Sequence, residues 1–333
     1  MSAQPLPIGR VPLGSWPTPL EKASRLGCSL GLGPEDLWIK RDDLSGLGGG
    51  GNKVRKLELL CGAALADGAD TLVTSGARQS NFARLTAAAG ARVGLDVVLV
   101  LASSAVDGPL GGNLALDGLF GASIVWAGAV DDEDLDAAAR SVTEQLRERG
   151  ATPVLFPYGG SNVLGARGYV DCGRELLAQA PDLTTVVTAL GSGGTMAGLV
   201  YALGEGKVLG VNCGAISRPA AKVAELVGGL GGAPVGAERL SIRLDHVGAG
   251  YGELTEPVMA ALQLAAGTEG IVLDPIYTGR ALAGLVSAID VGQIRPGERT
   301  ILLHSGGLPG LFGHPTTLAR ILVRRAEGLS PRP

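Results

Sequence analysis

Hydrophobic positions along the chain alternate between two patterns from about residue 70 onward. Short runs rich in Val, Ile, Leu and Thr predict buried strands, at residues 70–74, 97–101, 123–126, 152–156, 184–188, 207–211, 271–273 and 300–303. Longer segments with apolar residues three and four positions apart predict helices, at residues 53–66, 81–93, 131–149, 166–180, 195–203, 219–226, 279–290 and 311–326. This alternation is typical of βαβ units, so we expect an α/β protein with open, twisted, mostly parallel sheets flanked by helices.

Two glycine clusters, at residues 46–51 and 159–168, are the best candidates for crossings between domains. A chain of 333 residues exceeds the roughly 100 to 200 residues of a usual domain, so we expect two domains. If both clusters are crossings, residues 51–167 form a small α/β domain, and residues 1–50 and 168–333 join into a large one. Such architectures bind ligands in a cleft at the carboxyl ends of strands, so we expect the site between the two domains.

Composition and charge exclude several classes of protein. The net charge is −4, and the Lys and Arg residues form no stripe that could follow a nucleic acid backbone. Residues 1–10 lack the basic and apolar regions of a secretory signal. The uncharged stretch 184–204 is interrupted by glycines and is not expected to span a membrane. We therefore predict a cytoplasmic protein that binds neither nucleic acid nor membrane.

The cysteines lie far apart in the sequence, at Cys28, Cys61, Cys172 and Cys213. They form no Cys-x-x-Cys pair, and no His stands at metal-ligand spacing from them. We predict neither a disulfide framework nor a metal site, and we expect four buried free thiols.

A lysine follows the first glycine cluster and begins a predicted helix. Asn52 stands at the N-cap position, which puts Lys53 in the first turn. The helix dipole disfavours a cation there, and Arg55 and Lys56 add like charge, so we expect a lowered Lys53 pKa. Such an amine is suited to forming a Schiff base. A solvated lysine is the alternative, whereas a P-loop is excluded because Asn52 and Val54 break its motif.

Ser80 and Asn81 mark the start of the next predicted helix. Backbone N–H groups and hydroxyls at the start of a helix form a site for a carboxylate or a phosphate. Ser80 could bind a substrate carboxylate or transfer a proton. Simple capping of the helix is the alternative role for both residues.

A glycine-rich turn joins the predicted strand 184–188 to the helix 195–203. Its residues are Gly191, Ser192, Gly193, Gly194 and Thr195. Its N–H groups and two hydroxyls could surround a phosphate dianion. Met196 stands where a dinucleotide-binding motif has its last glycine, so the phosphate of a smaller cofactor such as pyridoxal 5′-phosphate (PLP) fits better.

Three later segments offer hydroxyl groups in glycine-rich loops or after strands. They contain Tyr251, then Tyr277 with Thr278, then Ser305. A tyrosine with a satisfied structural hydroxyl is at least as common as a catalytic one, so this signal alone leaves both roles open. His304, at the end of strand 300–303, is predicted to be structural.

Taken in this order, the segments resemble the family of PLP enzymes that contains D-cysteine desulfhydrase and 1-aminocyclopropane-1-carboxylate (ACC) deaminase. The resemblance runs from Pro17 to Gly307, and its specific motifs are Gly-Gly-Asn-Lys-x-Arg-Lys-Leu-Glu and Gln-Ser-Asn. It implies the tryptophan synthase β-like fold, a PLP cofactor and a homodimer.

The resemblance also implies roles for individual residues. Lys53 would carry PLP as a Schiff base, and Asn81 would bond the 3′-oxygen of the cofactor. Gly191, Ser192, Gly193, Gly194 and Thr195 would hold its phosphate, and Ser305 would face its pyridine nitrogen. On the substrate side, the residues implied are Ser80, Asn81, Phe82, Tyr251, Tyr277 and Thr278, with Ser80 and the following N–H groups binding the carboxylate.

The protonation of the PLP pyridine ring narrows the choice of substrates. In ACC deaminases a Glu follows the tyrosine that matches Tyr277 and favours a protonated pyridine, whereas this chain has Thr278. A neutral Ser305 stabilises no pyridinium, which is adequate for β-elimination but less suited to opening a cyclopropane. We therefore expect a lyase that converts D-cysteine to pyruvate, ammonia and hydrogen sulfide. An L-cysteate sulfo-lyase, an ACC deaminase and a non-catalytic ligand-binding or regulatory protein stay open as alternatives.

Two residues depart from the family motif beside the predicted carboxylate site. Arg78 stands where the family has an apolar residue, and Phe82 stands where it has a polar one. Both changes leave the substrate open. Arg78 could pair with an anionic leaving group, although a solvated or structurally paired arginine is the alternative.

Overall fold

Ten strands organise the chain, which a computed structural model describes over residues 9–103 and 110–321. In chain order they are β1 (Leu20–Lys22), β2 (Leu37–Arg41), β3 (Thr71–Ala77), β4 (Asp96–Ala102), β5 (Ser123–Gly128), β6 (Pro153–Phe156), β7 (Thr185–Leu190), β8 (Val208–Asn212), β9 (Ser241–Arg243) and β10 (Thr300–His304). They form a six-stranded sheet, β1-β2-β10-β7-β8-β9, and a four-stranded sheet, β5-β4-β3-β6. Every pairing is parallel except that of β1 with β2. The predicted α/β class with two mostly parallel open sheets is confirmed.

The helices of the described ranges pack on both sides of each sheet. They are α1 (Ser24–Ser29), α2 (Lys53–Ala66), α3 (Asn81–Val93), α4 (Gly112–Leu119), α5 (Asp132–Glu148), α6 (Val163–Gln179), α7 (Gly194–Leu203), α8 (Pro219–Gly229), α9 (Glu256–Glu269), α10 (Thr278–Asp290), α11 (Leu308–Phe312) and α12 (Pro315–Arg320). No helix in these ranges combines the length and the apolar character needed to cross a membrane.

Alternation along the strands produces a separate core on each face of a sheet. In β7, Val186 packs into a core with α6, α7 and α8, whereas Val187 packs into a core with α9 and α10. The small sheet has α2 and α3 on one face and α5 on the other. Because both faces are covered, the strands read as continuous apolar runs, which explains why most of them were predictable from the sequence.

One predicted strand is wrong. Residues 271–273 pair with no strand in the part of the chain that the structure describes. The carbonyl of Val272 instead accepts a hydrogen bond from Nε2 of His304, at 3.1 Å, and its side chain is exposed. The apolar run covers the edge of a core instead of joining the sheet.

The predicted helix 311–326 is also wrong in its length. The chain forms α11 and α12 as two short helices, separated at Gly313 and His314. Residues 322–326 of the prediction lie outside the described residues. The expectation of four buried thiols fails at Cys28, which is exposed, while the other three cysteines are buried.

The hydrophobic pattern does not predict strand β2, because charged residues interrupt its apolar positions. The Lys40 side chain is fully buried, and its Nζ donates to Glu175, to Gln179 and to the carbonyl of Thr18, at 2.8 to 2.9 Å. Buried charge is tolerated when it is paired and hydrogen-bonded in this way. The pattern likewise does not predict β1, β9, α1, α4 or α9.

The division into domains of residues 51–167 and of residues 1–50 with 168–333 stays a prediction. The small sheet is built from residues 71–156 and the large sheet from strands on either side of that segment. The boundary between residues 167 and 168 falls within α6. The homodimer also stays a prediction.

Candidate active site

A cleft is lined by residues that follow the carboxyl ends of β3, β6, β7 and β10 and by the start of α2. It brings together most of the predicted site residues: Lys53, Ser80, Asn81, Phe82, Gly191, Ser192, Gly193, Thr195, Tyr277 and Ser305. Three others lie behind this lining, namely Gly194, Tyr251 and Thr278. The carboxyl ends of strands thus carry the predicted chemistry, as in other open α/β sheets.

Lys53 begins α2 and points into the cleft. Its Nζ donates to Oδ1 of Asn52, at 2.9 Å, and lies 5.9 Å from the centre of the Tyr277 ring. Burial lowers the Lys53 pKa to about 8, and the positive charge of Arg84 acts in the same direction. The predicted direction is right, but the cause differs, because Arg55 points away from the cleft.

Asn52 does not cap α2 with its side chain, contrary to the prediction. Its Nδ2 donates instead to Oγ1 of Thr195, at 3.0 Å, and its backbone N–H donates to the carbonyl of Ser305, at 2.9 Å. Asn52 therefore ties the start of α2 to the glycine-rich turn of α7 and to the loop after β10.

Arg84 holds the glycine-rich loop that precedes Lys53, a role that the sequence does not reveal. The Arg84 side chain is fully buried on α3 and donates to the carbonyls of Gly48 and Gly50. Gly50 has a positive φ of 73°, and a Cβ there would lie 1.8 Å from the carbonyl oxygen of Asp43. Only glycine fits this close approach, which explains part of the glycine cluster.

A second lysine, Lys56, lines the cleft one turn after Lys53 and was not among the predicted site residues. Its Nζ is buried and donates to Oγ of Ser161, at 2.9 Å, and to the carbonyl of Gly159, at 3.1 Å. Burial lowers the Lys56 pKa well below its usual value, and the nearby charge of Lys53 adds to the effect. A neighbouring anion would reverse this shift.

The turn from β7 to α7 closes tightly against the loop that follows β6. Oγ of Ser192 lies 2.7 Å from Oγ of Ser161, which also accepts from the N–H of Gly194, at 3.1 Å. A Cβ at Gly194 would lie 2.8 Å from both Nζ of Lys56 and Oγ of Ser161. The absence of a side chain at this position lets an amine, hydroxyls and the first N–H groups of α7 approach one another.

The loop after β6 supplies residues that the sequence analysis treated only as a domain crossing. Gly159 and Ser161 bind Lys56, and Asn162 caps α6 by accepting from the N–H of Gly165, at 2.8 Å. The signal that could have found them is a Gly-Gly-Ser-Asn sequence that begins shortly after the predicted strand 152–156.

The start of α3 presents Ser80, Asn81 and Phe82 to the cleft. Oγ of Ser80 caps the helix by accepting from the N–H of Ala83, at 3.1 Å, so the capping alternative is part of its role. Oδ1 of Asn81 accepts from Nδ2 of Asn113, at 3.0 Å, which fixes its amide. Phe82 is almost fully buried and packs in the core of the small sheet.

Tyr277 reaches the cleft from the turn before α10, while Tyr251 lies behind it. Their hydroxyls are 2.6 Å apart, and burial raises the pKa of both phenols. The turn is held by the buried carboxylate of Asp274, which accepts from the N–H groups of Tyr277 and Thr278. The Thr278 hydroxyl also donates to Asp274, at 2.7 Å, and is therefore used in the turn.

Arg78 does not line the cleft. Its guanidinium lies 5.6 Å from the centre of the Trp126 ring, in the small sheet. Ser305 does line the cleft, next to the start of α2.

The lining of the cleft is biased towards binding anions. Two lysine amines and the N-terminal ends of α2, α3 and α7 face it, and within the described ranges no Asp or Glu lines it. Helix N-termini and ammonium groups stabilise phosphates and carboxylates. An amine with a lowered pKa beside a group of N–H and hydroxyl donors fits PLP, which presents one aldehyde and one phosphate.

Comparison with known proteins gives a consistent result. A family model described as "Pyridoxal-phosphate dependent enzyme" matches residues 11–306. A D-cysteine desulfhydrase of Salmonella schwarzengrund is 38% identical, over 92% of this chain and 96% of its own. A protein of Pyrococcus abyssi provisionally named a 1-aminocyclopropane-1-carboxylate deaminase is 37% identical, over 94% of this chain and 96% of its own. A crystal structure of an ACC deaminase homologue is 36% identical and covers 93% of this chain and 95% of its own, with a TM-score of 0.85.

Proposed function

Because the chain belongs to the pyridoxal-phosphate-dependent enzymes, in the family of ACC deaminases and D-cysteine desulfhydrases, we propose that it eliminates the β-substituent of an amino acid. We propose D-cysteine as the substrate and pyruvate, ammonia and hydrogen sulfide as the products. The main support for this proposal is the charge of the cleft. Lys53 and Lys56 face into it, and no Asp or Glu of the described ranges lines it.

Lys53 is proposed as the residue that carries PLP. Its amine has a pKa lowered to about 8 by burial, so a useful fraction is neutral and nucleophilic near neutral pH. PLP supplies the electron withdrawal that allows the Cα–H bond of an attached amino acid to break. Once an amino acid has replaced it, the free Lys53 amine can accept this proton.

The phosphate of PLP is proposed to lie at the turn from Gly191 to Thr195. The N–H groups at the start of α7 and the Ser192 and Thr195 hydroxyls are its donors. Lys56 adds a buried amine, which is bonded to Ser161. A phosphate dianion there stabilises the protonated form of Lys56, so binding of the anion and protonation of the amine support each other.

Ser80 and the N-terminus of α3 are proposed to bind the substrate carboxylate. The Ser80 hydroxyl and the unpaired N–H groups of the first helical turn provide donors at the edge of the cleft. Asn81, held by Asn113, is proposed to bond the 3′-oxygen of PLP. Ser305 is proposed to face the pyridine nitrogen, and Tyr277, supported by Tyr251, to orient the reacting part of the substrate.

The choice of elimination over ring opening depends on the absence of an acidic partner. A carboxylate near the ring nitrogen would keep it protonated and make the cofactor a stronger electron acceptor. Ser305 is neutral, and Thr278 is engaged with Asp274 behind the lining. β-Elimination needs less help, because the leaving group departs with the electron pair.

ACC deamination is the second candidate, and the name of the Pyrococcus relative favours it. Release of keto acid and ammonia from D-cysteine, L-cysteine, L-cysteate and ACC separates the possibilities. We expect D-cysteine to have the highest kcat/KM. If ACC were the best substrate, a neutral Ser305 at the pyridine nitrogen would not disfavour ring opening. If L-cysteate were the best substrate, the proposed chirality and leaving group would be wrong.

A further inference from the structure

Tyr158 is a second tyrosine of the cleft lining, after Tyr277, and it has no role in the function proposed above. It follows β6 and lines the cleft together with Lys53 and Tyr277. The hydroxyls of Tyr251 and Tyr277 bond each other. The Tyr158 hydroxyl has no hydrogen-bond partner among the residues that the structure describes. The Tyr158 hydroxyl is therefore available to a ligand.

Tyr158 also borders an outer cavity, which we call the vestibule. Its charged lining consists of Asp132 and Asp136 on α5 and of Arg218, Lys222 and Glu225 at α8. Tyr158 and Ser192 line both the cleft and the vestibule, so they lie at the boundary between the two cavities. Atom-free space, with the part that is open to solvent included, amounts to about 1160 Å³ in the vestibule and about 630 Å³ in the cleft.

In the proposed arrangement Tyr158 lies at the cleft beside Tyr277, which orients the reacting part of the substrate. Tyr158 also borders the vestibule, together with Ser192 of the proposed phosphate turn. We propose that Tyr158 binds the β-substituent of the substrate and selects the leaving group, an inference that rests on the proposed elimination. The vestibule then admits substituents longer than a thiol.

The chemistry of Tyr158 suits a hydrogen-bond donor. Burial and the negative charge of Asp132 raise the Tyr158 pKa to about 12, so the phenol stays protonated at neutral pH. The bond from Cβ to the substituent breaks with both electrons leaving on the substituent. The Tyr158 O–H donates a hydrogen bond to that electron pair and keeps its proton, while solvent protonates the released group. Substituents with sulfur or oxygen acceptors are thus favoured.

Removal of the hydroxyl tests the donor role. With the enantiomer that the wild type uses, kcat/KM is compared for O-acetylserine, whose substituent accepts hydrogen bonds, and for β-chloroalanine, whose chlorine is a weak acceptor. We expect Tyr158→Phe to lower kcat/KM for O-acetylserine about 5- to 10-fold. The value for β-chloroalanine should change less than about twofold. An equal loss on both substrates, or no loss on either, would overturn the proposal.

Removal of the Tyr158 ring tests whether this side chain limits the room for the β-substituent. Tyr158→Ala should raise kcat/KM for S-benzylcysteine relative to β-chloroalanine by about tenfold, because a bulky substituent gains room. Tyr158 packs against a core cluster formed by Val73, Val100, Leu135 and Ala139, so the melting temperature and the PLP absorption band of this variant are measured first. If Tyr158→Ala does not fold, Tyr158→Phe, which keeps the ring, decides the proposal.

Tyr201→Phe is the matched control, because Tyr201 is an exposed tyrosine of α7 outside both cavities. It should leave every ratio unchanged. A wild type that binds PLP but eliminates none of the three substituents overturns the proposed function, and this inference with it. A wild type that eliminates them while both Tyr158 variants keep its preferences overturns the role of Tyr158 alone.

Discussion

The buried basic residues on the two sides of helix α2 differ in whether they have carboxylate partners. On one side, Arg55 is only 3% exposed and bonds Asp42 and Glu175, whose charges raise its pKa although burial opposes this. On the other side, Lys53 and Lys56 have no carboxylate partner in the described ranges, and burial lowers the pKa of both. The same helix thus carries one cation that is paired with carboxylates and two amines that have no carboxylate partner in the described ranges.

The paired side holds the fold together. Tyr169 and Thr18 also donate to Asp42, and Oε1 of Glu58 accepts from the N–H groups of Leu13 and Gly14. These bonds anchor the segment before β1 and helix α6 to α2. A buried charge costs several kcal/mol unless it is paired, so we propose that an anionic ligand binds on the side of Lys53 and Lys56.

Loss of Lys53, the residue proposed to carry PLP, should have the largest effect. We expect Lys53→Ala to lower kcat for elimination by about 10²- to 10⁴-fold, because both the attachment of PLP and the group that accepts the proton are lost. Lys22→Ala removes an exposed lysine and is the control. Stopped assays of pyruvate release measure both variants. A Lys53→Ala enzyme with near-normal kcat would contradict the proposal that the lysine side of α2 carries the chemistry.

Loss of the paired cation should affect stability instead of chemistry. Arg55→Met leaves the buried Asp42 without its cation, so the free energy of unfolding should fall by about 3 to 5 kcal/mol. Denaturant unfolding of the apoprotein measures this loss. Tyr169→Phe removes one hydrogen bond to Asp42 and should cost only about 0.5 to 1.5 kcal/mol. If Arg55→Met left stability intact, the pairing would not be structural.

Loss of the second amine should weaken the cofactor but not the fold. We expect Lys56→Met to raise the dissociation constant of PLP roughly 10- to 150-fold, the range for a hydrogen bond to a charged group. Titration of the apoprotein with PLP gives this constant, and unfolding of the apoprotein serves as the control. An unchanged PLP constant together with a large loss of stability would place Lys56 with Arg55, on the structural side.

The pH dependence of PLP attachment should show the smallest effect, and it tests the lowered pKa of Lys53. Only the neutral amine attacks the aldehyde, and a Lys53 pKa of about 8 leaves about a tenth of it neutral at pH 7. The rate constant for attachment should rise about tenfold from pH 6 to pH 7 and level off above about pH 8. Stopped-flow absorbance measures it. A rate that keeps rising to pH 10 would indicate an amine with an ordinary pKa.

Much of this site could be predicted because its parts occupy the ends of predictable strands. The apolar run of β7, followed by glycines and a helical pattern, predicts a phosphate turn without any knowledge of tertiary structure. The same holds for the turn from β3 to α3, where Ser80 both caps the helix and faces the cleft. Local chemistry and global fold agree at these places.

The parts that could not be predicted depend on partners distant in the sequence. Lys40 lies in a buried strand because Glu175 and Gln179 neutralise it from α6, and Arg84 is buried because it binds the glycine-rich loop. Thr278 follows Tyr277 in the sequence, yet Asp274 draws its hydroxyl into a turn behind the lining. Such contacts are set by tertiary packing, which overrides local propensity and polarity.

The most direct test of the central claim is to find which amine carries the cofactor. The chain has six lysines, and Lys56 lies one helical turn from Lys53. Reduction of the PLP-bound protein with borohydride, followed by digestion and mass spectrometry of the peptides, locates the attached group. We predict a single phosphopyridoxyl group on Lys53. Attachment at Lys56 or at any other lysine, or no attachment, would contradict the account.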